Sequence, residues 1–246
     1  MNIIIDRGNS YTKIATFKHN ALINIQKFEN KLTDLVVEFQ SLTKRYTEIE
    51  KVILCDVTDN DNELNNFLTK CTFLYINLNH KIKTPIKNLY KTKETLGKDR
   101  LAAVVGANNI FPKNNVLIFD AGTALTIDFI NEKQEYKGGN ISPGILMRYK
   151  ALNHFTGKLP LLKPDANFDK IIGQTTNEAI LAGVQNSIIF EIRTYISHFK
   201  SKYNNLKIIF TGGDNIFFEN KLKNNIFASP NLVMYGLNTI LEYNAK

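Results

Sequence analysis

No stretch of the 246 residues approaches the roughly 18 to 20 consecutive apolar positions that a bilayer-spanning helix requires, so no membrane partner is expected. Met1-Asn2 leads through only three isoleucines to Asp6, too short an apolar run for a secretory signal; the fold is expected to start at once, in the cytoplasm. Cysteine is scarce. Cys55 and Cys71 have no CxxC spacing, and the expected state is two buried free thiols in a reducing compartment. The four histidines, His19, His80, His154 and His198, are scattered without a metal-ligand interval, which argues against a structural zinc. A linker rich in Pro, Gly or Ser is also missing, so any join between domains is tight.

What remains is an ordinary globular composition, 43% apolar, with a formal charge of +8. Much of that charge is local. Lys81, Lys83, Lys87, Lys91, Lys93, Lys98 and Arg100 are set against only Glu94 and Asp99. Three readings stay open for this run: a nucleic-acid footprint, a site for a small anionic ligand, or a solvated basic face. Only Tyr90 interrupts it, whereas a single-strand footprint interleaves several aromatics, so nucleic acid is not an expected partner.

Hydrophobic periodicity places strands at 2–6, 12–18 and 22–27, a helix at 31–45, a strand at 51–56, a helix at 60–70, an extended piece at 73–77 and a helix at 98–110. The order then begins again, with strands at 116–120, 123–130 and 134–142, and Pro143 is expected as the first residue of a helix. A long helix (175–201), a strand (206–211), a short helix after Asp214 and a final helix (230–244) follow. The fold class is α/β in two tandem lobes, 1–112 and 113–246.

The repeat is clearest at two turns. Ile3-Ile4-Ile5 runs into Asp6-Arg7-Gly8-Asn9-Ser10, and Val116-Leu117-Ile118-Phe119 runs into Asp120-Ala121-Gly122-Thr123-Ala124. In such a hairpin the Gly allows close backbone approach, so amide N–H groups and the neighbouring hydroxyl can point at phosphate oxygens, while the Asp can hold a shielding cation. One such turn is a plain hairpin as readily as a site; two in matching positions favour a paired phosphate site. A third element, Thr211-Gly212-Gly213-Asp214 after Ile208-Ile209-Phe210, bares its backbone to a flat ring or a phosphate, with Asp214 a helix cap.

In this order the elements resemble the actin, Hsp70 and sugar-kinase superfamily, and the finer motifs resemble type III pantothenate kinases. The motifs are Asp6-x-Gly8-Asn9-Ser10-x-x-Lys13, Tyr90 with Gly97-Lys98-Asp99-Arg100, and Asp120-x-Gly122-Thr123-Ala124-x-Thr126-x-Asp128. Gly138-Gly139-Asn140-Ile141-Ser142-Pro143-Gly144, Leu159-Pro160, Gly173-Gln174-Thr175-Thr176 and Thr211-Gly212-Gly213-Asp214 follow. Ser10 stands where Thr is usual, and Gly157 replaces the common Ala.

The resemblance implies two actin-like (ribonuclease H-like) lobes with an ATP cleft between them, and phosphorylation of pantothenate by ATP. It implies that Asp6, Gly8, Asn9, Ser10, Lys13, Thr123, Gly212 and Gly213 bind ATP. Asp99 would act as base, with Tyr90, Gly97, Lys98, Asp99, Arg100 and Thr176 on the substrate. Asp120 would hold a monovalent cation, K⁺ or NH₄⁺; Mg²⁺ would come with the nucleotide, and the enzyme would be a homodimer. Read from its residues alone, Asp99 is either that base, kept ionised at a helix start, or simply a first-turn helix acid. Two rivals are a kinase of another small hydroxy compound and a catalytically silent regulatory relative.

Overall fold

A computed structural model describes residues 1–9, 11–30, 34–46, 48–58, 62–222 and 226–245. The elements run β1 (Asn2–Arg7), β2 (Tyr11–Lys18), β3 (Ala21–Glu29), α1 (Leu35–Arg45), β4 (Lys51–Asp56), α2 (Asn62–Leu68), β5 (Leu74–Asn77), β6 (Lys87–Asn88) and α3 (Lys98–Ile110). They continue through β7 (Val116–Ala121), β8 (Ala124–Ile130), β9 (Glu135–Pro143), α4 (Ile145–Phe155) and α5 (Thr176–Lys202). The chain closes with β10 (Lys207–Thr211), α6 (Asn215–Leu222), β11 (Phe227–Ala228) and α7 (Leu232–Asn244). Contacts divide these into two compact units, Met1–Ile110 with Leu232–Lys246, and Phe111–Asn231.

In the first unit the strand order is β3-β2-β1-β4-β5, antiparallel from β3 to β1 and parallel from β1 to β5. Ile3 and Ile5 on β1 and Val52 and Leu54 on β4 meet Phe39 and Leu42 of α1 and Leu64 and Leu68 of α2 in one buried cluster. Helix α1 starts where Asp34 accepts hydrogen bonds from the Val36 and Val37 amides (2.9 and 3.2 Å), which satisfies two donors that the helix cannot. Leu32, expected on this helix, lies outside the described residues.

The last helix departs from sequence order. Expected in the second lobe, α7 packs within the first unit, against α3 and beside β1 and β4. The cause is close backbone approach between two small residues: a Cβ on Gly236 would stand 1.8 Å from the Ala102 carbonyl oxygen, and one on Gly106 2.5 Å from that of Leu232. Asn2 ties the helix down by donating to Asn238 Oδ1 (2.8 Å) and Glu242 Oε1 (2.6 Å). With α7 on it, α3 is buried from Arg100 through Ala107 on every side.

The second unit has the strand order β11-β10-β7-β8-β9, antiparallel from β7 to β9 and parallel through β7, β10 and β11. Element for element this repeats the first sheet, so the repeat read from the two Asp-x-Gly turns is a repeat of topology. Phe119 and Phe210 stack at 4.7 Å between centroids, and Ile180, Val184, Ile188 and Ile192 of α5 close the core over them. Pro143 is not the first helical residue. It ends β9, paired with Ala124, and Gly144 is the N-cap of α4. The expected buried thiols divide as well: Cys55 is buried, whereas Cys71 is partly exposed. No described helix is long and apolar enough to cross a membrane.

Candidate active site

In the first unit the chemistry gathers where β1 and β4 end and α3 begins. Parallel pairing sets Asp6 beside Cys55, and antiparallel pairing sets it beside Lys13 on β2. The turn after Asp6 closes through the Gly8 amide, which donates to the Tyr11 carbonyl at 3.0 Å. Its outer wall is Asn30, which donates to the Gly8 carbonyl (2.6 Å) and accepts from the Thr12 hydroxyl (2.7 Å). Sequence reading missed Asn30, because nothing local marks an Asn beyond β3 as a brace for a turn 22 positions earlier. Gly8 and Lys13 are partly exposed and Asn9 fully so; Ser10 lies outside the described residues.

Asp99 is the second residue of α3, and its Oδ1 accepts from the Arg100 amide at 2.8 Å. Gly97 makes room for it, since a Cβ there would stand 2.6 Å from that oxygen. Burial raises the Asp6 carboxyl from 3.8 to about 6; the negative charges of Asp99 and then Asp56 push the same way, while Lys13 and a hydrogen bond from the Cys55 thiol pull it down. Burial also raises the Cys55 thiol, helped by Asp6 and Asp99. The negative charge of Asp99 is therefore felt at Asp6, which places the start of α3 and the end of β1 in one charged neighbourhood.

The rest of the basic run is not one face. Lys81, Lys83, Lys87, Lys91 and Lys93 are exposed, whereas Arg100 is buried, with its guanidinium carbon 5.7 Å from the Tyr90 ring centroid. The Lys98 ammonium donates back to the Asp56 carbonyl (2.8 Å), tying the start of α3 to the end of β4. The Asp56 carboxylate in turn accepts from the Thr58 amide and hydroxyl (2.8 and 2.7 Å) and faces the Arg7 guanidinium at 3.5 Å.

In the second unit three segments lock together. Gly144 donates to the Thr123 carbonyl (3.2 Å) and Asp214 to that of Ala121 (3.0 Å). Gly212, at φ +96°, passes so close that a Cβ would stand 2.3 Å from the Ala121 oxygen and 2.6 Å from Asp120 Oδ1. A Cβ on Gly213 would meet nothing within 4 Å, and one on Gly122 nothing nearer than 4.0 Å, so their backbones face open space of the kind a phosphate or a flat ring needs. Thr123 is exposed at the tip. Thr176 is exposed in the first turn of α5, which Thr175 and Glu178 cap: the Glu178 amide donates to Thr175 Oγ1 (3.2 Å). Asp128, the last residue of the Asp120 motif, is 1% exposed and accepts from the Tyr136 hydroxyl at 2.6 Å inside the core, so it is no rival to Asp99 as a base. Among the described residues no group of three His, Cys, Asp or Glu is placed to hold a metal ion; magnesium carried by a nucleotide takes most ligands from phosphate and water.

A family model described as type III pantothenate kinase matches residues 2–198. The chain belongs to that family. A type III pantothenate kinase from Christiangramia forsetii is 45% identical over 244 residues, covering 99% of each chain. Among solved structures, one named for the Baf family of transcriptional activators, from Campylobacter jejuni, superposes with a TM-score of 0.64 at 23% identity, over 99% of this chain and 98% of its own. One from Listeria monocytogenes, named for N-acetylmannosamine kinase, gives 0.62 at 11% identity over 100% and 99%. At these identities the two structures speak for the fold alone, which is that of the actin-like ATPases and sugar kinases.

The pH response of this site follows from Asp6. With its carboxyl raised from 3.8 to about 6, Asp6 contributes stability that is fully present below the unfolded value and lost as pH rises through about 6. Nucleotide binding runs the other way if it needs the charged carboxylate, so affinity for Mg-ATP is expected to fall as pH drops below about 6. Cys55→Ala removes a hydrogen bond to the ionised form and should move the Asp6 midpoint upward. An NMR titration of the Asp6 carboxyl reads it directly, and a midpoint near 4 in both proteins would contradict the assignment.

Proposed function

We propose that this chain transfers the γ-phosphoryl group of ATP to the hydroxyl of pantothenate, giving ADP and 4′-phosphopantothenate, the first step of coenzyme A synthesis. The observation that carries the residue-level reading is the shared electrostatic site of Asp99 and Asp6. ATP supplies the phosphoryl group, and its magnesium ion offsets phosphate charge. The acceptor hydroxyl oxygen forms a bond to the γ-phosphorus, the bond to the β-bridging oxygen breaks, and Asp99 takes the hydroxyl proton.

The remaining roles are positional and electrostatic. The turn bearing Asp6, Gly8, Asn9, Ser10 and Lys13 and the turn bearing Thr123 hold phosphate oxygens. Gly212 and Gly213 present backbone to the adenosine. Arg100, buried and always charged, is suited to the pantothenate carboxylate, with Tyr90 over its guanidinium and Gly97 and Lys98 beside it; Thr176 is a further proposed substrate contact. Asp120 holds a monovalent cation, K⁺ or NH₄⁺, beside the phosphates.

A homodimer is part of the same reading. Ile141, Ile171 and Phe190 are exposed at 66%, 65% and 49%. Asn186, one turn before Phe190 on α5, donates to the Lys170 and Ile171 carbonyls, so Ile171 and Phe190 are neighbours on a face that a second copy would cover. Sedimentation should give twice the 28.0 kDa chain mass, and Phe190→Asp should lower it.

The purified chain with ATP and Mg²⁺ is expected to release ADP with pantothenate and not with glucose or glycerol. The rate should rise when K⁺ or NH₄⁺ replaces Na⁺ at constant ionic strength. ADP release with a sugar alone would move the acceptor to another hydroxy compound; equal rates in the three salts would remove the cation from Asp120.

A further inference from the structure

Among the described residues, Arg148 on α4 has four hydrogen-bond partners. Its Nε donates to the Pro143 carbonyl (2.9 Å), its Nη2 to the Ser142 hydroxyl (2.9 Å) and its Nη1 to the Ser187 hydroxyl (3.4 Å). Its Nη2 also pairs with the Glu191 carboxylate on α5, and both side chains are mostly buried, at 18% and 23% exposure. One guanidinium thus joins the end of β9, the first turn of α4 and the middle of α5. A charged pair this withdrawn from water, with three further hydrogen bonds from the same guanidinium, holds geometry better than a surface ion pair does.

What it holds is the segment on which the Asp120–Ala124 turn rests. Gly144, next to Pro143, is buried, donates to the Thr123 carbonyl, and leaves no space for a side chain: a Cβ would stand 2.2 Å from the Gly122 oxygen and 2.5 Å from that of Thr123. A shift of Ser142-Pro143-Gly144 therefore moves the backbone of Gly122 and Thr123 with it. We infer that Arg148, braced by Glu191, is a positioning residue for the nucleotide-phosphate turn, clamping the 142–144 segment so that the Gly122 and Thr123 backbone is preset before ATP arrives. The inference rests on the reading of that turn as a phosphate site. No direct contact of Arg148 with either substrate is needed.

Arg148→Met keeps the apolar stem and removes every side-chain donor. Losing one charge-assisted hydrogen bond from the displaced turn to a phosphate oxygen costs about tenfold or more in affinity, so the dissociation constant for a non-hydrolysable ATP analogue is expected to rise roughly tenfold or more. KM for pantothenate should change less than about twofold, and Arg148→Lys, which retains the charge and one or two bonds, should recover part of the loss. A role confined to fold stability predicts instead a lowered melting temperature with unchanged affinity in the folded fraction; that result, or equal losses for both substrates, overturns the inference. If Arg148→Met does not fold, Glu191→Gln is read the same way, and unchanged analogue affinity in it overturns the inference too. The analogue titration needs no turnover, so wild type that binds nucleotide but fails to phosphorylate pantothenate refutes the proposed acceptor and leaves the clamp to be judged by the variants.

Discussion

Asp99→Asn is expected to lower kcat by roughly two orders of magnitude or more, with nucleotide affinity and melting temperature little changed. The substitution keeps the size of the side chain and an oxygen able to accept from the Arg100 amide, which Asp99 Oδ1 does at 2.8 Å, so the start of α3 is preserved. What it removes is the site that accepts the hydroxyl proton. It also removes the second largest cause that raises Asp6, so the Asp6 midpoint should fall in the same variant. That shift is a control independent of turnover: it verifies that the charge of Asp99 is felt at Asp6 even if the rate does not change. A kcat within a small factor of wild type would reduce Asp99 to a helix acid and leave the base unassigned, with Asp128 no substitute because Tyr136 seals it in the core.

Gly212→Ala and Gly213→Ala should differ sharply although the residues are adjacent. At Gly212 the backbone is at φ +96° and the new methyl would press on the Ala121 carbonyl and the Asp120 carboxylate. Backbone strain of about 1–3 kcal/mol plus the overlap should lower stability measurably in a denaturant titration and disturb Asp120 at once. At Gly213 the methyl meets nothing within 4 Å, so stability should stay within about 0.5 kcal/mol of wild type. If that open space receives the nucleotide, analogue affinity should nonetheless drop by about tenfold or more, since the methyl then occupies the ligand's place. Wild-type affinity in Gly213→Ala would put the adenosine elsewhere.

The site was legible to different degrees in its different parts. Asp6, Gly8, Asp120, Gly122, Gly212 and Gly213 stand at strand ends in short, ordered motifs, and a turn needing close backbone approach leaves a local mark because few residues but Gly permit it. Asp99 was legible as a helix acid after a Gly, yet its influence on Asp6 was not, since the two are 93 positions apart and their charges interact only once the chain is folded. Asn30 and Arg148 carried no local signal at all. Each acts by bonding backbone or side chains that the fold brings to it.

The local chemistry is written in the chain. Apolar periodicity dictates the alternating strands and helices, and the two Asp-x-Gly turns announce the repeat; the matching sheet orders β3-β2-β1-β4-β5 and β9-β8-β7-β10-β11 are seen only in the structure. Tertiary packing decided the rest. It placed α7 with the first unit because Gly236 and Gly106 let two helix backbones approach more closely than any side chain would allow. It ended β9 at Pro143 rather than starting a helix there, because pairing with Ala124 continues to that residue and Gly144 must lie flat on Gly122 and Thr123. It also set the charge state of Asp6, a sum of burial and of neighbours on β2, β4 and α3. Periodicity and turn chemistry act within a few residues, whereas desolvation, close approach and the company of charges exist only once distant segments share a volume.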